Sequence, residues 1–146
     1  MGDLLSTNSA SRRFRGKGIV IYSSCIEEEW PEILKDFGSE YVPLKACPEE
    51  VHVNKISLKV ASILARVDLK WIKVISVDGS PHCLHLHHAA EEAIKVTGSK
   101  VPVEHLVVYK GKLRKVSERA VKLSRYLYKL DKLLSEVKGS GASQPP

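Results

Sequence analysis

The chain has 146 residues, of which 43% are hydrophobic and 27% are charged, and its formal net charge is +6. This length suits one domain with a real core, and the composition is that of an ordinary globular protein. No apolar run approaches the roughly 20 residues that a membrane-spanning helix needs, which argues against membrane insertion. The first 17 residues lack the apolar core of a secretory signal. We therefore expect an intracellular, cytoplasmic protein.

Residue usage adds expectations about the host and the redox compartment. Gln144 is the only glutamine, and Asn8 and Asn54 are the only asparagines, whereas lysine and glutamate are abundant. This bias is associated with thermophiles, in which labile residues are depleted and ion pairs are favoured. Three widely spaced cysteines fit a reducing compartment better than a disulfide framework.

The chain divides into three parts. Residues 1–17 are small, polar and basic, and they are predicted to form a flexible N-terminal arm. Residues 139–146 are rich in Gly, Ser and Pro and are predicted to form a flexible tail. Residues 18–138 between them are predicted to form a single α/β domain.

Within the domain, short apolar strands alternate with helical segments. Strands are predicted at 19–22, 41–46 and 71–77, the second of them at a sheet edge because it contains Pro43. Helices are predicted at 27–37, from 47 to about 67, and from an N-cap at Ser80 to about 96. A hairpin is predicted over 103–109 and 112–116, with Lys110-Gly111 as its two-residue turn.

A long amphipathic helix is predicted after the hairpin. Apolar residues recur there at alternating spacings of four and three from Val116 to Val137, which is the pattern of a coiled-coil seam. About 22 residues would span roughly 33 Å, more than a six-residue strand needs as cover. The distal half could therefore form a homodimer through Leu127, Leu130 and Leu134. The alternative is a helix packed wholly on its own sheet.

The same C-terminal segment is basic. From residue 110 to residue 138 there are ten lysines and arginines against three acidic residues. Contact with the phosphates of a nucleic acid is one interpretation, and a solvated lysine-rich surface is the other. No zinc-finger or RNP-type motif accompanies the charge.

Strands that alternate with helices predict a three-layer α/β fold with a mostly parallel open sheet, flavodoxin-like or Rossmann-like. The hairpin adds an antiparallel strand, and the long helix closes the chain. In such a sheet the carboxyl ends of the parallel strands share one edge, where ligands bind.

Each of the three cysteines follows a predicted strand. Cys25, Cys47 and Cys83 are therefore expected at this carboxyl edge, where they could form a thiolate site. Cys83 lies in the first turn of a predicted helix, where free N–H groups stabilise a thiolate. The chain has four histidines in this segment. His82 is adjacent to Cys83, and His87 lies with Cys83 at the i, i+4 spacing of one helix face, so these two are candidate metal ligands.

Soft thiolates select zinc or an iron–sulfur cluster, which makes these the expected cofactors. Two alternatives remain open at the sequence level. Two of the cysteines could exchange a disulfide, with Cys83 as the attacking thiolate. Each cysteine could also be a passive side chain, since free cysteine is often simply buried.

The segments Ser23-Ser24-Cys25 and Gly79-Ser80, the latter shortly before Cys83, stand after two of the predicted strands. With the predicted fold, they make the chain resemble the iron–sulfur-binding module of nickel–iron hydrogenase small subunits and of the related small subunit of respiratory complex I. The resemblance covers residues 18–98 at the level of architecture. It implies electron transfer through a cluster, and hence a redox partner protein.

Several enzyme motifs are missing from the sequence. A Gly-x-Gly-x-x-Gly fingerprint, a Walker A loop, a Cys-x₅-Arg loop and a Gly-x-Ser-x-Gly elbow do not occur. Gly79 and Ser80 at a predicted helix N-terminus could still bind a small anion. The leading hypothesis is a thiolate-site protein that binds a metal or a cluster in electron transfer or redox regulation. The alternative is a non-catalytic interaction module built on the C-terminal helix, and catalysis is left open.

Overall fold

The computed structural model describes residues 2–137 and has an α/β architecture around one six-stranded sheet. The strands lie in the order β1-β3-β2-β4-β5-β6, and all neighbouring pairs are parallel except β5 and β6. The strands are β1 (Gly2–Asp3), β2 (Gly18–Ser23), β3 (Tyr41–Ala46), β4 (Ile72–Val77), β5 (Val103–Tyr109) and β6 (Lys112–Val116). The helices are α1 (Ser24–Glu29), α2 (Pro31–Lys35), α3 (Val53–Arg66), α4 (Leu84–Thr97), α5 (Glu118–Leu123) and α6 (Leu127–Glu136). The predicted fold class is thereby confirmed.

Helices cover both faces of the sheet. All six residues of β2 are buried, which explains why its sequence is continuously apolar rather than alternating. Ile19 and Ile21 pack on one side with residues of α3 and α4, such as Ile56. Val20 and Tyr22 pack on the other side with residues of α1 and α2. Among the described residues, no helix is both long and apolar enough to cross a membrane.

The chain order places a topological switch point between β2 and β4. From β2 the chain moves to β3 on one side, and from β3 it crosses back over β2 to reach β4 on the other. The carboxyl ends of β2 and β4 therefore lie side by side, but the chain leaves them towards opposite edges of the sheet. In open α/β sheets this is the crevice in which ligands bind.

Local signals set two element boundaries as predicted. Gly98 ends α4 in the left-handed conformation with φ 67°. Lys110 and Gly111 both have positive φ, 50° and 75°, as the type I′ hairpin turn requires. The Ser80 hydroxyl accepts a hydrogen bond from the Cys83 N–H at 3.4 Å.

Three predicted helices have different bounds in the structure. The helix expected from an N-cap at Ser80 begins at Leu84, so Cys83 is its N-cap and does not lie in its first turn. The segment 27–37 is divided into α1 and α2, which are separated at Trp30. The helix expected from Cys47 begins instead at Val53, because His52 caps it: its Nδ1 accepts the Asn54 N–H at 3.1 Å. Residues 48–50 before it form a separate turn.

The described part of the N-terminal segment is packed on the sheet rather than free, which corrects the prediction of a flexible arm. Gly2 and Asp3 pair with Leu44 and Lys45 of β3. The side chains of Leu4 and Phe14 are fully buried. Burial of each of these side chains stabilises the fold by about 1.5–3 kcal/mol. This gain holds the segment on the sheet although most of its other residues are polar. The tail predicted at 139–146 lies outside the described residues.

The predicted C-terminal helix is broken into α5 and α6, with residues 124–126 between them. The Ser124 hydroxyl donates to the Val121 carbonyl at 2.6 Å, and the ring Nε2 of His88 lies 3.0 Å from the same hydroxyl. Serine side chains that bond back to the helix compete with its backbone ladder. The continuous seam predicted from Val116 to Val137 is therefore interrupted after α5.

Candidate functional site

The switch point brings two of the three cysteines together. Cys25 lies in α1 immediately after β2, and Cys83 precedes α4 in the loop after β4. Cys25 is exposed, whereas Cys83 is buried, with 7% of its surface accessible. The Cys25 Sγ donates a hydrogen bond to the Ser23 hydroxyl at 3.7 Å.

Cys83 affects the acidity of the Cys25 thiol. The pKa of Cys25 is raised, first by burial of the thiol and further by the charge of Cys83 and a hydrogen bond with it. The hydroxyl of Ser23 acts in the opposite direction, because it stabilises the thiolate. Cys25 and Cys83 therefore lie close enough to interact.

The other predicted ligands lie around this pair without completing a metal site. Cys47 is half-buried after β3 and lines a cavity of about 70 Å³ with Ser24. The ring Nδ1 of His82 lies 3.9 Å from a carboxylate oxygen of Glu49, so the loops after β3 and β4 approach each other. Across residues 2–137, no group of three or more His, Cys, Asp or Glu side chains is disposed to hold a metal ion.

In the predicted anion-binding loop, both the N–H and the hydroxyl of Ser80 already form hydrogen bonds within the protein. The Ser80 N–H donates to the Val77 carbonyl at 3.3 Å, while its hydroxyl caps Cys83. Gly79 supplies the turn with φ 91°. The loop forms one wall of a cavity of about 240 Å³ at the carboxyl ends of β4 and β5.

A buried chain of hydrogen bonds, which sequence reasoning missed, runs across β4, α4 and β5. The Ser76 hydroxyl lies 2.7 Å from Nε2 of His87, and Nδ1 of His87 lies 2.9 Å from Nδ1 of His105. Nε2 of His105 lies 2.6 Å from a carboxylate oxygen of Glu91. Ser76 and both histidines are buried, and the Glu91 side chain is 16% exposed. We call these four residues the relay.

The proton arrangement of the relay follows from its geometry when both imidazoles are neutral. Glu91 can only accept, so His105 carries its proton on Nε2 and accepts at Nδ1. His87 must then donate from Nδ1, which leaves its Nε2 free to accept from Ser76. Burial lowers the pKa of His87 to about 3, and repulsion from His105 and His88 adds to the effect.

The four histidines of the run therefore have separate environments. His82 lies in the exposed loop near Glu49, and His85 is exposed on α4. His88 contacts Ser124 after α5, and His87 belongs to the relay. Both ring nitrogens of His87 are hydrogen-bonded, so metal binding by this residue would require the relay to open. The signals in the sequence were the i, i+4 spacing of His87 and Glu91 and the lone polar residue at a buried position of β4.

The residues predicted for a dimer lie on a largely exposed helix. Leu127 and Leu134 of α6 are 77% and 59% exposed, whereas Leu130 is half-buried. Lysine side chains lie over aromatic rings of the same region, such as Lys129 over Tyr126 at 4.6 Å. The helix thus presents apolar and basic side chains together.

Comparison with known proteins shows the family. The model of the Rossmann-like domain matches residues 11–138, so the chain belongs to this family. No curated protein and no solved structure matches the chain significantly.

Proposed function

We propose that this Rossmann-like domain is a thiol-site protein. Cys25 and Cys83 form a reversible internal disulfide by exchange with the disulfide of a redox partner. The observation that carries the proposal is the juxtaposition of the two thiols at the switch point, reflected in the effect of Cys83 on the pKa of Cys25. Neighbouring thiols are suited to exchange with an external disulfide. The co-reactant is a protein disulfide or a small disulfide such as oxidised glutathione.

The exchange proceeds in two balanced steps. The Cys25 thiolate attacks one sulfur of the external disulfide, which forms a mixed disulfide and releases one thiolate. Cys83 then attacks the Cys25 sulfur, which closes the internal disulfide and releases the second thiolate. The two cysteines lose two electrons in total, and the external disulfide gains them. Exposure favours Cys25 as the first attacking thiol, whereas the sequence had favoured Cys83.

A zinc ion or an iron–sulfur cluster fits the observed side chains less well. A structural zinc site needs four ligands and a cubane cluster generally four thiolates. The pair supplies two, and the described residues contain no larger set. The resemblance to hydrogenase and complex I subunits therefore adds no ligand beyond Cys25 and Cys83, and we derive no step through a metal.

The test is a thiol count before and after oxidation of the full chain, prepared without air. The chain has three free cysteines, and incubation with oxidised glutathione is expected to leave one alkylatable thiol, on Cys47. Cys47→Ser is the matched control and should still form the internal disulfide. Cys83→Ser should stop at a mixed disulfide on Cys25.

Two results would count against the proposal. Glutathione that stays on Cys25 of the native chain would show that Cys83 does not reach it. Stoichiometric iron with visible absorption, lost in Cys83→Ser, would replace the disulfide with a cluster.

A second candidate function is self-association through α6. The observation that favours it is the exposure of Leu127 and Leu134 on one short amphipathic helix. Sedimentation velocity of the full chain should show a dimer that becomes a monomer in Leu127→Lys/Leu134→Lys. A monomeric native chain that binds DNA in a salt-sensitive way would favour the nucleic-acid alternative instead.

A further inference from the structure

Ser76, at one end of the relay, is part of the wall of a cavity that Cys25 and Cys83 do not line. The cavity, of about 240 Å³, lies on the α4 side of β4 and β5, and Ser76, Ser80, Leu84 and Val107 are part of its wall. It is smaller than the roughly 300 Å³ at which sites for drug-sized ligands begin, and Leu84 and Val107 give it an apolar wall. A small, largely apolar group is therefore the kind of ligand that it fits.

We propose that Ser76 is a nucleophile for short-chain acyl esters, activated by His87, at a site separate from the cysteines. The geometry is that of an activated serine: the base lies 2.7 Å from the hydroxyl through Nε2, and its Nδ1 is held by a third group at 2.9 Å. Here the third group is His105, which is itself held by Glu91 at 2.6 Å. Three buried polar groups and a partly buried carboxylate that satisfy one another in a single proton arrangement are costly to assemble by chance, because any unpaired buried member would be penalised.

The reaction consists of two balanced steps. The Ser76 oxygen attacks the ester carbonyl while its proton passes to Nε2 of His87, and the Nδ1 proton of His87 passes to His105. When the acyl–serine forms, the alcohol leaves with the proton returned through His87. A water molecule then attacks the acyl–serine by the same route, which gives the carboxylic acid and restores the hydroxyl. The sum is one ester and one water converted into one acid and one alcohol.

The two histidines have different parts in this scheme. His87 exchanges the reacting proton, and it is poorly suited to keep a positive charge because it is 1% exposed. His105 receives that charge beside the Glu91 carboxylate, where it is paired. His105 and Glu91 are therefore positioning residues.

The test uses a short-chain alkyl fluorophosphonate, which forms a stable bond to activated serines, and p-nitrophenyl acetate as substrate. Mass spectrometry of the labelled full chain should locate the phosphonate on Ser76 and not on Ser80 of the same peptide. Ser76→Ala should abolish labelling, and His87→Gln should lower its rate about 100-fold or more, the usual contribution of a general base. His85→Gln, which changes an exposed histidine on the same helix, is the matched control and should label normally.

Glu91→Gln separates a positioning role from a structural one. It is expected to lower kcat about tenfold with KM unchanged, whereas a loosened fold would change both. The proposal is overturned if the native chain fails to label at Ser76 or if His87→Gln labels as fast as the native chain. It is also overturned if Ser76→Ala hydrolyses the acetate ester at the native rate, since cysteines or surface groups would then be responsible. None of these results depends on whether Cys25 and Cys83 form a disulfide.

Discussion

The burial of His87 predicts that acid destabilises the fold in a defined pH range. Its pKa is about 3 in the folded chain against 6.5 for an ordinary histidine. The unfolded chain therefore binds a proton below pH 6.5 that the folded chain does not take up until about pH 3. Stability from this group is complete above pH 6.5 and is lost progressively as the pH falls towards 3.

The size of this effect follows from the same two values. A pH of 5 lies roughly 1.5 units below the pKa of the imidazole in the unfolded chain, whereas His87 of the folded chain is still neutral at this pH. One pKa unit corresponds to about 1.4 kcal/mol, so acidification from pH 8 to pH 5 should lower the free energy of unfolding by about 2 kcal/mol through His87 alone. This is a substantial part of the 5–15 kcal/mol that is typical of a domain.

Urea unfolding followed by circular dichroism at pH 8, 6.5 and 5 measures the effect. His87→Gln replaces the imidazole with an amide that cannot titrate. From pH 8 to pH 5, the free energy of unfolding of this variant should decrease by about 2 kcal/mol less than that of the native chain. His85→Gln, at an exposed position of α4, should keep the native pH dependence. Burial lowers the pKa of His88 in the same direction, so only the difference between variants isolates His87. Equal pH slopes in the native chain and in His87→Gln would refute the reasoning.

Three further predictions test packing and the thiol pair. Phe14→Ala should lower the free energy of unfolding by about 3–5 kcal/mol in urea titrations, because Phe14 is fully buried; an unchanged midpoint would indicate a free arm. Gly18→Ala should cost about 1–3 kcal/mol or more, because a Cβ would collide with the Trp71 indole, and a thermal melt at the native temperature would contradict this. Cys83→Ala should raise the rate at which iodoacetamide alkylates Cys25 at pH 7, since Cys83 raises its pKa; a slower rate would show that Cys83 activates it.

The elements that could be predicted from the sequence are those specified by local signals. A continuous apolar run identified β2, the Lys110-Gly111 turn identified the hairpin and a glycine ended α4. The parts that were missed depend on partners distant in sequence. The packing of Phe14 and the break at Ser124 arise from contacts with the sheet and with His88, which no local pattern reports.

One of the two candidate sites could be expected from the sequence, and the other could not. Strand ends predicted a shared edge, and Cys25 and Cys83 do meet there, because the connectivity of parallel strands constrains where their ends lie. The relay could not be read in advance, since its members come from β4, α4 and β5 and are separated by 11 to 18 residues along each cross-element bond. Only the fold decides whether a histidine in a run of four points to solvent or to the interior.

The contact between His88 and Ser124 links the interior of the protein to its most exposed helix. His88 is the neighbour of His87 on α4, and Ser124 is the residue at which the chain turns from α5 into α6. The hydrogen bond therefore ties the end of α5, just before α6 begins, to the helix that carries His87 and Glu91.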